Sequence, residues 1–142
     1  MNGAVAWGMF LWAGVLLGVS FIATPAKFLA PSLPLAQALD VGRSTFHVLA
    51  LVEWAMLSAF LTAVNWQPPR PRVVALLLLV GAVLAVEAFA LRPLLDTRVE
   101  AIMAGNDVAP SHLHRAYIVL EILKLALILT AGVFVGRQTN GT

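Results

Sequence analysis

Three glutamates lie inside long apolar stretches of this chain: Glu53, Glu87 and Glu121. An ionised side chain near the middle of a membrane costs roughly 2.5 to 3.5 kcal/mol on the insertion scale, so such groups are rare outside functional or paired sites. A carboxyl group in that position binds a proton, binds a cation, or pairs with a basic side chain. The chemistry of this protein therefore depends on where the chain places these three groups.

The stretches that carry the glutamates are long enough to cross a bilayer. Of the 142 residues, 61% are hydrophobic and 11% are charged. About 20 apolar residues span the ~30 Å hydrocarbon layer as a helix, which satisfies its own backbone there. Four stretches meet this requirement: residues 4–24, 46–66, 73–91 and 116–135.

These stretches predict an all-α integral membrane protein, an antiparallel four-helix bundle that forms a single domain. We expect the helices at about residues 4–24, 35–66, 73–92 and 112–136. Pro93 and Gly105 delimit a short extra surface helix, about residues 94–104, between helices 3 and 4. Gly14 and Gly18 have the spacing that brings two helix backbones close, so we expect that face of the first helix to pack within the bundle, with a dimer contact as the alternative.

Composition and charge exclude several classes of protein and site. The chain has no cysteine, which rules out disulfides, thiolate metal ligands and thiol catalysis. The net charge is +2, but the basic residues lie mostly at the ends of the apolar stretches, as in membrane anchoring rather than nucleic-acid binding. The first 26 residues carry no charge, so we interpret the first stretch as a retained helix rather than a signal peptide. We expect a multi-pass protein of a bacterial inner membrane, with membrane lipid as its main partner.

The three glutamates are expected at one depth. Side B is the membrane face that carries the connections from helix 1 to helix 2 and from helix 3 to helix 4. Glu53 lies about seven residues inside the second stretch, Glu87 about five residues from the end of the third, and Glu121 about six residues inside the fourth. At 1.5 Å per residue, all three lie roughly 8 to 10 Å below side B. They are therefore predicted to share one polar pocket that opens to side B.

Basic and aromatic side chains surround this pocket in the sequence. Lys124 and Tyr117 lie on the same face of helix 4 as Glu121, and Lys124 is the expected intrahelical partner of Glu121. Three carboxylates against one deep lysine leave a deficit of positive charge. Protonation of glutamates, pairing with arginines closer to side B, or a bound cation would each resolve it. The arginines concerned are Arg43, Arg92 and Arg115.

Three functional interpretations follow. The first is a cation-, metal- or proton-handling protein, possibly a transporter, in which Glu53, Glu87 and Glu121 act with His47 and His114 as ligands for a divalent metal. The second is a redox protein that binds haem or quinone at His47 and His114, with Arg43, Arg92 and Arg115 near the propionates. The third is an accessory subunit whose charges serve only to hold the helices together. No hydrolase arrangement or phosphate-binding loop is present in the sequence, and whether the protein is an enzyme stays open.

Four short motifs resemble the transmembrane protein 205-like family. They are Pro-Ala-Lys-Phe at residues 25–28, Leu-Asp-Val-Gly-Arg-Ser-Thr-Phe-His at 39–47, Leu-Arg-Pro-Leu-Leu-Asp-Thr-Arg at 91–98, and His114 with Tyr117. The resemblance extends over nearly the whole chain in order and hydropathy. It implies a small four-helix membrane protein of a family defined as a domain of unknown function. A bundle of four helices is narrow, so a homo-oligomer is the expected form if the protein transports a solute.

Overall fold

All the elements that the structure describes are helical. The structure is a computed structural model that describes residues 2–65 and 70–137, so the predicted end of the second helix at residue 66 lies outside the described residues. In chain order the elements are the first helix Asn2–Leu16, a π-helical segment Leu17–Ala23, two short turns Thr24–Ala26 and Lys27–Leu29, the second helix Leu35–Asn65, the third helix Pro71–Val86, a π-helical segment Glu87–Leu91, the surface helix Arg92–Met103 and the fourth helix Leu113–Arg137.

Four of these helical paths are long and apolar enough to cross a membrane. They are Gly3–Leu29, Leu35–Val64, Pro71–Met103 and Leu113–Arg137. The described residues contain no strand, which confirms the predicted all-α fold class. Large apolar side chains such as Trp7, Leu51 and Phe89 are exposed on the outside of the bundle. Exposure of this kind fits a surface that contacts lipid.

The helix ends have local causes. Ser111 Oγ accepts a hydrogen bond from the Leu113 backbone N–H at 3.2 Å and so caps the fourth helix. Gly105 adopts a positive φ of 79°, the conformation that favours glycine just beyond the end of a helix, and stops the surface helix. Pro93 does not interrupt the helical path, because it occupies the first turn of Arg92–Met103, where a missing N–H is tolerated.

The half of the bundle away from side B has an apolar core. Met9, Trp12 and Leu16 of the first helix belong to the same cluster as Leu77 of the third and Ile128 of the fourth. Trp12 also stacks on Phe60 of the second helix, with ring centroids 5.8 Å apart. Packing of these side chains sets the rotation of each helix about its own axis, and hence the direction of the polar groups nearer side B.

The close approach between helices involves a different glycine from the predicted pair. A Cβ at Gly14 or Gly18 would meet no atom within 4 Å, so the expectation that this face packs inside the bundle is wrong. At Gly132 a Cβ would lie 3.2 Å from Phe10 Cε1 and 3.4 Å from Met9 Cβ. The first and fourth helices therefore approach each other closely at Gly132. This close approach leaves little room for a larger side chain at that position.

Substitution of Gly132 tests this contact. We expect Gly132→Val to lower the free energy of unfolding by about 1–3 kcal/mol, since the added methyl groups overlap Phe10 and Met9. The unfolding midpoint in a mild detergent measures the change. Gly14→Val is the matched control, and it should leave the midpoint nearly unchanged. Equal losses in the two variants would contradict the packing of helices 1 and 4 described above.

Candidate functional site

One lysine holds the three intramembrane glutamates together. Lys124 Nζ donates hydrogen bonds to Glu53 Oε2 at 2.9 Å, to Glu87 Oε2 at 2.8 Å and to Glu121 Oε1 at 2.8 Å. All four side chains are buried, and none of the four residues is more than 1% exposed. We call Glu53, Glu87, Glu121 and Lys124 the carboxylate cluster. Counting residues from the membrane surface predicted that the three carboxylates lie at one depth. The structure places all three around one ammonium group.

Each membrane-spanning path supplies either a cluster residue or a hydrogen bond to one. Glu121 and Lys124 are three residues apart on the fourth helix and so share a face. Glu53 comes from the second helix, and Glu87 is the first residue of the π-helical segment Glu87–Leu91. Ser20, in the π-helical segment of the first path, donates a hydrogen bond to Glu121 Oε2 at 2.7 Å. The cluster therefore ties all four paths together.

Sequence reasoning missed the part played by Ser20. The available signal was a hydroxyl group deep in a stretch without charges, at a position where lipid offers no partner. The two π-helical segments were also missed. A π-helical turn inserts one extra residue per turn and turns the following side chains to a new direction, and such turns are frequent at functional sites. Here one segment carries Ser20 and the other carries Glu87.

The cluster carries more acceptors and more negative charge than Lys124 can satisfy. An ammonium group has three N–H donors, and each is used by a different glutamate. Glu53 Oε1 and Glu87 Oε1 are buried with no hydrogen-bond partner among the described residues. Trp12 Nε1, which lies near Glu53, is buried and also lacks a bond of standard geometry. With all carboxyls ionised, the group would hold two uncompensated negative charges inside the bundle.

The arginines proposed as partners do not reach the cluster. Arg43 pairs with Asp40 at 2.8 Å and with Glu100 at 3.0 Å, and Arg115 donates to His112 Nδ1 at 2.6 Å. Arg92 forms no ion pair with any residue that the structure describes. Charge compensation by these arginines, one of the three solutions considered from the sequence, is therefore not the arrangement adopted.

The two candidate histidines lie closer to side B and apart from the cluster. His47 Nε2 is 2.9 Å from Asp96 Oδ2, and its side chain is about half exposed. His114 lies at the start of the fourth helix and lines two cavities, whereas His47 lines neither of them. The donor groups close enough together to share one metal ion, among the described residues, are the three glutamates without a histidine.

Two adjoining cavities lead from side B towards the cluster. The outer cavity, about 280 Å³, lies between the ends of the helices near side B and is lined in part by Arg92, Arg98 and Ile102. The inner cavity, about 210 Å³, reaches Ser20 and Glu121. The residues that line both are Thr24, Phe28, Phe46, His114 and Tyr117. Because they share these walls, the two cavities lie side by side along the approach from side B to Glu121.

Tyr117 stands in this approach. Its side chain is buried and packs edge-on against Phe46, with ring centroids 5.0 Å apart. It lies one helical turn before Glu121, as the shared face predicted. A rotation of this ring would widen or narrow the connection between the cavities.

Removal of the central ammonium tests the cluster. We expect Lys124→Met to lower the free energy of unfolding by about 3–5 kcal/mol, because it leaves buried carboxylates without their shared donor. The double variant Lys124→Met with Glu121→Gln should recover part of this loss, since it removes one of the stranded charges. Thermal unfolding in detergent measures both. A Lys124→Met protein as stable as its parent would show that the ammonium does not hold the carboxylates.

Comparison with known proteins yields no relative for this chain: no family model, no curated protein and no solved structure matches it. The resemblance to the transmembrane protein 205-like family therefore stays a prediction from its short motifs.

Proposed function

We propose that this membrane protein handles protons, and that the carboxylate cluster binds and releases them in exchange with side B. The observation that carries the proposal is the sharing of one buried lysine by three buried glutamates. Two bound protons would bring the cluster to neutrality while Lys124 keeps all three hydrogen bonds. Neutrality matters because an uncompensated charge in the hydrocarbon layer is strongly unfavourable.

The positions for these protons follow from the hydrogen bonds. Glu53 Oε1 and Glu87 Oε1 accept no hydrogen bond of standard geometry from described residues, so each can take a proton without losing such a bond. Glu121 differs, because both of its oxygens accept hydrogen bonds, one from Lys124 and one from Ser20. We therefore assign the exchangeable protons to Glu53 and Glu87, with Glu121 as the ionised partner of Lys124.

The approach from side B supports exchange with water on that side. The inner cavity touches Glu121 and Ser20, and Tyr117 lines both this cavity and the adjoining outer one. The titratable groups at this end of the approach are the four cluster side chains themselves and Tyr117, which lies beside Glu121; Ser20, from the first path, is not titratable. A transport cycle would in addition require the apolar half of the bundle to open.

A divalent metal is the second candidate function. One oxygen of each glutamate lies within 4.8 Å of the others, which is the arrangement of a three-carboxylate cation site. Lys124 Nζ lies among these oxygens at 2.8–2.9 Å, so a metal would have to displace it. Bonds to zinc are shorter, about 2.0–2.2 Å, so the carboxylates would also have to move inwards. Protons need neither change, and for this reason we place them first.

Infrared spectroscopy of the protein in lipid tests the proposal. We expect a carbonyl absorption of protonated carboxylic acid at neutral pH, because two glutamates are neutral, and we expect this band to shift in D₂O as their protons exchange with solvent on side B. Glu53→Gln and Glu87→Gln should each remove part of this band. Glu100→Gln, which changes an exposed glutamate near side B, should leave it unaltered.

The contrary result is a spectrum without this band, or one in which the three variants behave alike. Elemental analysis of untagged protein then separates the two candidates. A stoichiometric divalent metal that is lost in Glu53→Gln would favour the metal site. Absence of both the band and the metal would reject both functions and leave a structural ion-pair network.

A further inference from the structure

Two residues that line the outer cavity carry buried hydrogen-bond donors that no described residue satisfies. Arg92 Nε and Nη2 are buried and have no hydrogen-bond partner among the described residues. The hydroxyl of Thr24, a residue that is only 8% exposed, is buried and unpartnered in the same way. Arg92 and Thr24 both line the outer cavity. Buried donors without acceptors are rare in folded proteins, and such a group calls for a specific explanation.

The two unpartnered Arg92 nitrogens have a geometry that fits an anion with two oxygens. Nε–H and Nη2–H project in parallel from one edge of the planar guanidinium group. Two parallel donors on one edge match the two oxygens of a carboxylate, or two oxygens of a phosphate. A single carbonyl oxygen or a water molecule can accept from both donors, but neither brings the negative charge that balances the guanidinium group.

The charge of the cavity wall favours an anion. Its ionisable residues are Lys27, Arg43, Arg92, Asp96, Arg98 and His114. Asp40 and Glu100 neutralise Arg43, and Asp96 is held by His47. Lys27, Arg92 and Arg98 have no carboxylate partner among the described residues, since Arg98 donates to the Ala109 carbonyl at 2.5 Å and Lys27 lies over the Phe28 ring. The wall thus presents a net positive charge to whatever enters.

The remainder of the wall is apolar. Phe28, Leu39, Leu95, Val99 and Ile102 line it. A volume of about 280 Å³ lies near the lower end of the ~300–1,000 Å³ range of small-molecule sites. A simple inorganic ion would leave this apolar surface without a partner, whereas a hydrocarbon chain would cover it.

We propose that the outer cavity binds an amphipathic anion, a carboxylate or phosphate head joined to an apolar chain. The side edge of the Arg92 guanidinium and the Thr24 hydroxyl hold the head, and the apolar wall holds the first part of the chain. Nothing in this assignment requires the carboxylate cluster to exchange protons, because the donors, the charge and the volume belong to the outer cavity alone. The head is that of a free acid from the water phase or of an anionic lipid from the membrane.

Binding of decanoate to the full-length protein in a non-ionic detergent tests the site. Titration calorimetry should show saturable binding of decanoate and none of decyltrimethylammonium, which has the same chain and the opposite charge. Arg92→Gln should weaken decanoate binding about 10- to 100-fold, because two hydrogen bonds to a charged group are lost. Arg92→Lys keeps the positive charge but lacks the two parallel N–H donors of a planar guanidinium group. It should weaken decanoate binding by an intermediate factor. Thr24→Val should weaken binding about 3- to 10-fold.

Arg72→Gln, at an exposed position on the opposite side of the membrane, is the matched control and should bind decanoate as the parent does. Lipid extraction and mass spectrometry of the purified protein identify the source of the anion. An anionic phospholipid retained by the parent and lost in Arg92→Gln assigns the site to a lipid head group; binding of decanoate without a retained lipid assigns it to a free acid. Equal binding of the two decyl compounds, or undiminished decanoate binding by Arg92→Gln, would overturn the proposal.

Discussion

The structure depends on one ammonium group that three carboxylates share. Lys124 uses each of its N–H bonds for a glutamate on a different helical path, and Ser20 adds the remaining path through Glu121. In a membrane, the hydrophobic effect does little to hold one apolar helix against another, so packing and interhelical hydrogen bonds carry more of the task. Together with the apolar core, the cluster stabilises the rotation that turns the acidic faces of the second, third and fourth paths inward. It also requires the three acidic side chains to lie at one depth, because they converge on a single nitrogen atom.

That convergence leaves the cluster with three carboxyl groups for one ammonium group. The basic side chains nearer side B do not supply the missing positive charge. The nearby arginines and histidines form their own contacts instead of neutralising the cluster: Arg43 with acidic residues, His47 with Asp96 and Arg115 with His112. The cavities on either side of Tyr117 lie between these surface groups and the buried acids. The acidic cluster therefore lies below and a positively charged wall lies above, with Tyr117 among the residues that line both cavities. The inner cavity adjoins acidic side chains and the outer cavity adjoins basic ones.

The depth of the three glutamates was predictable from the sequence, whereas the rotation of each helix about its axis was not. Both outcomes have physical causes. The depth of Glu53, Glu87 and Glu121 follows from helix rise and from the start of each apolar stretch, so counting residues sufficed. The reach of Lys124 to two other helices did not follow, because hydropathy does not define how a helix is rotated about its axis. The first helix shows the same limit, since its Gly14 and Gly18 spacing suggested a contact that the structure places elsewhere. The π-helical turns at Ser20 and Glu87 escape a 3.6-residue count altogether, because each one shifts the phase of the residues that follow.

The position of Lys124 in the fourth helix has a consequence for how the chain is made. Ribosomes deliver the N-terminal helices first, so the second and third helices enter the bilayer before their shared cation exists. Until the fourth helix arrives, Glu53 and Glu87 lack the ammonium group that they share and must stay protonated or keep to the aqueous boundary. Completion of the bundle therefore waits for the fourth helix, which follows the other three in the chain.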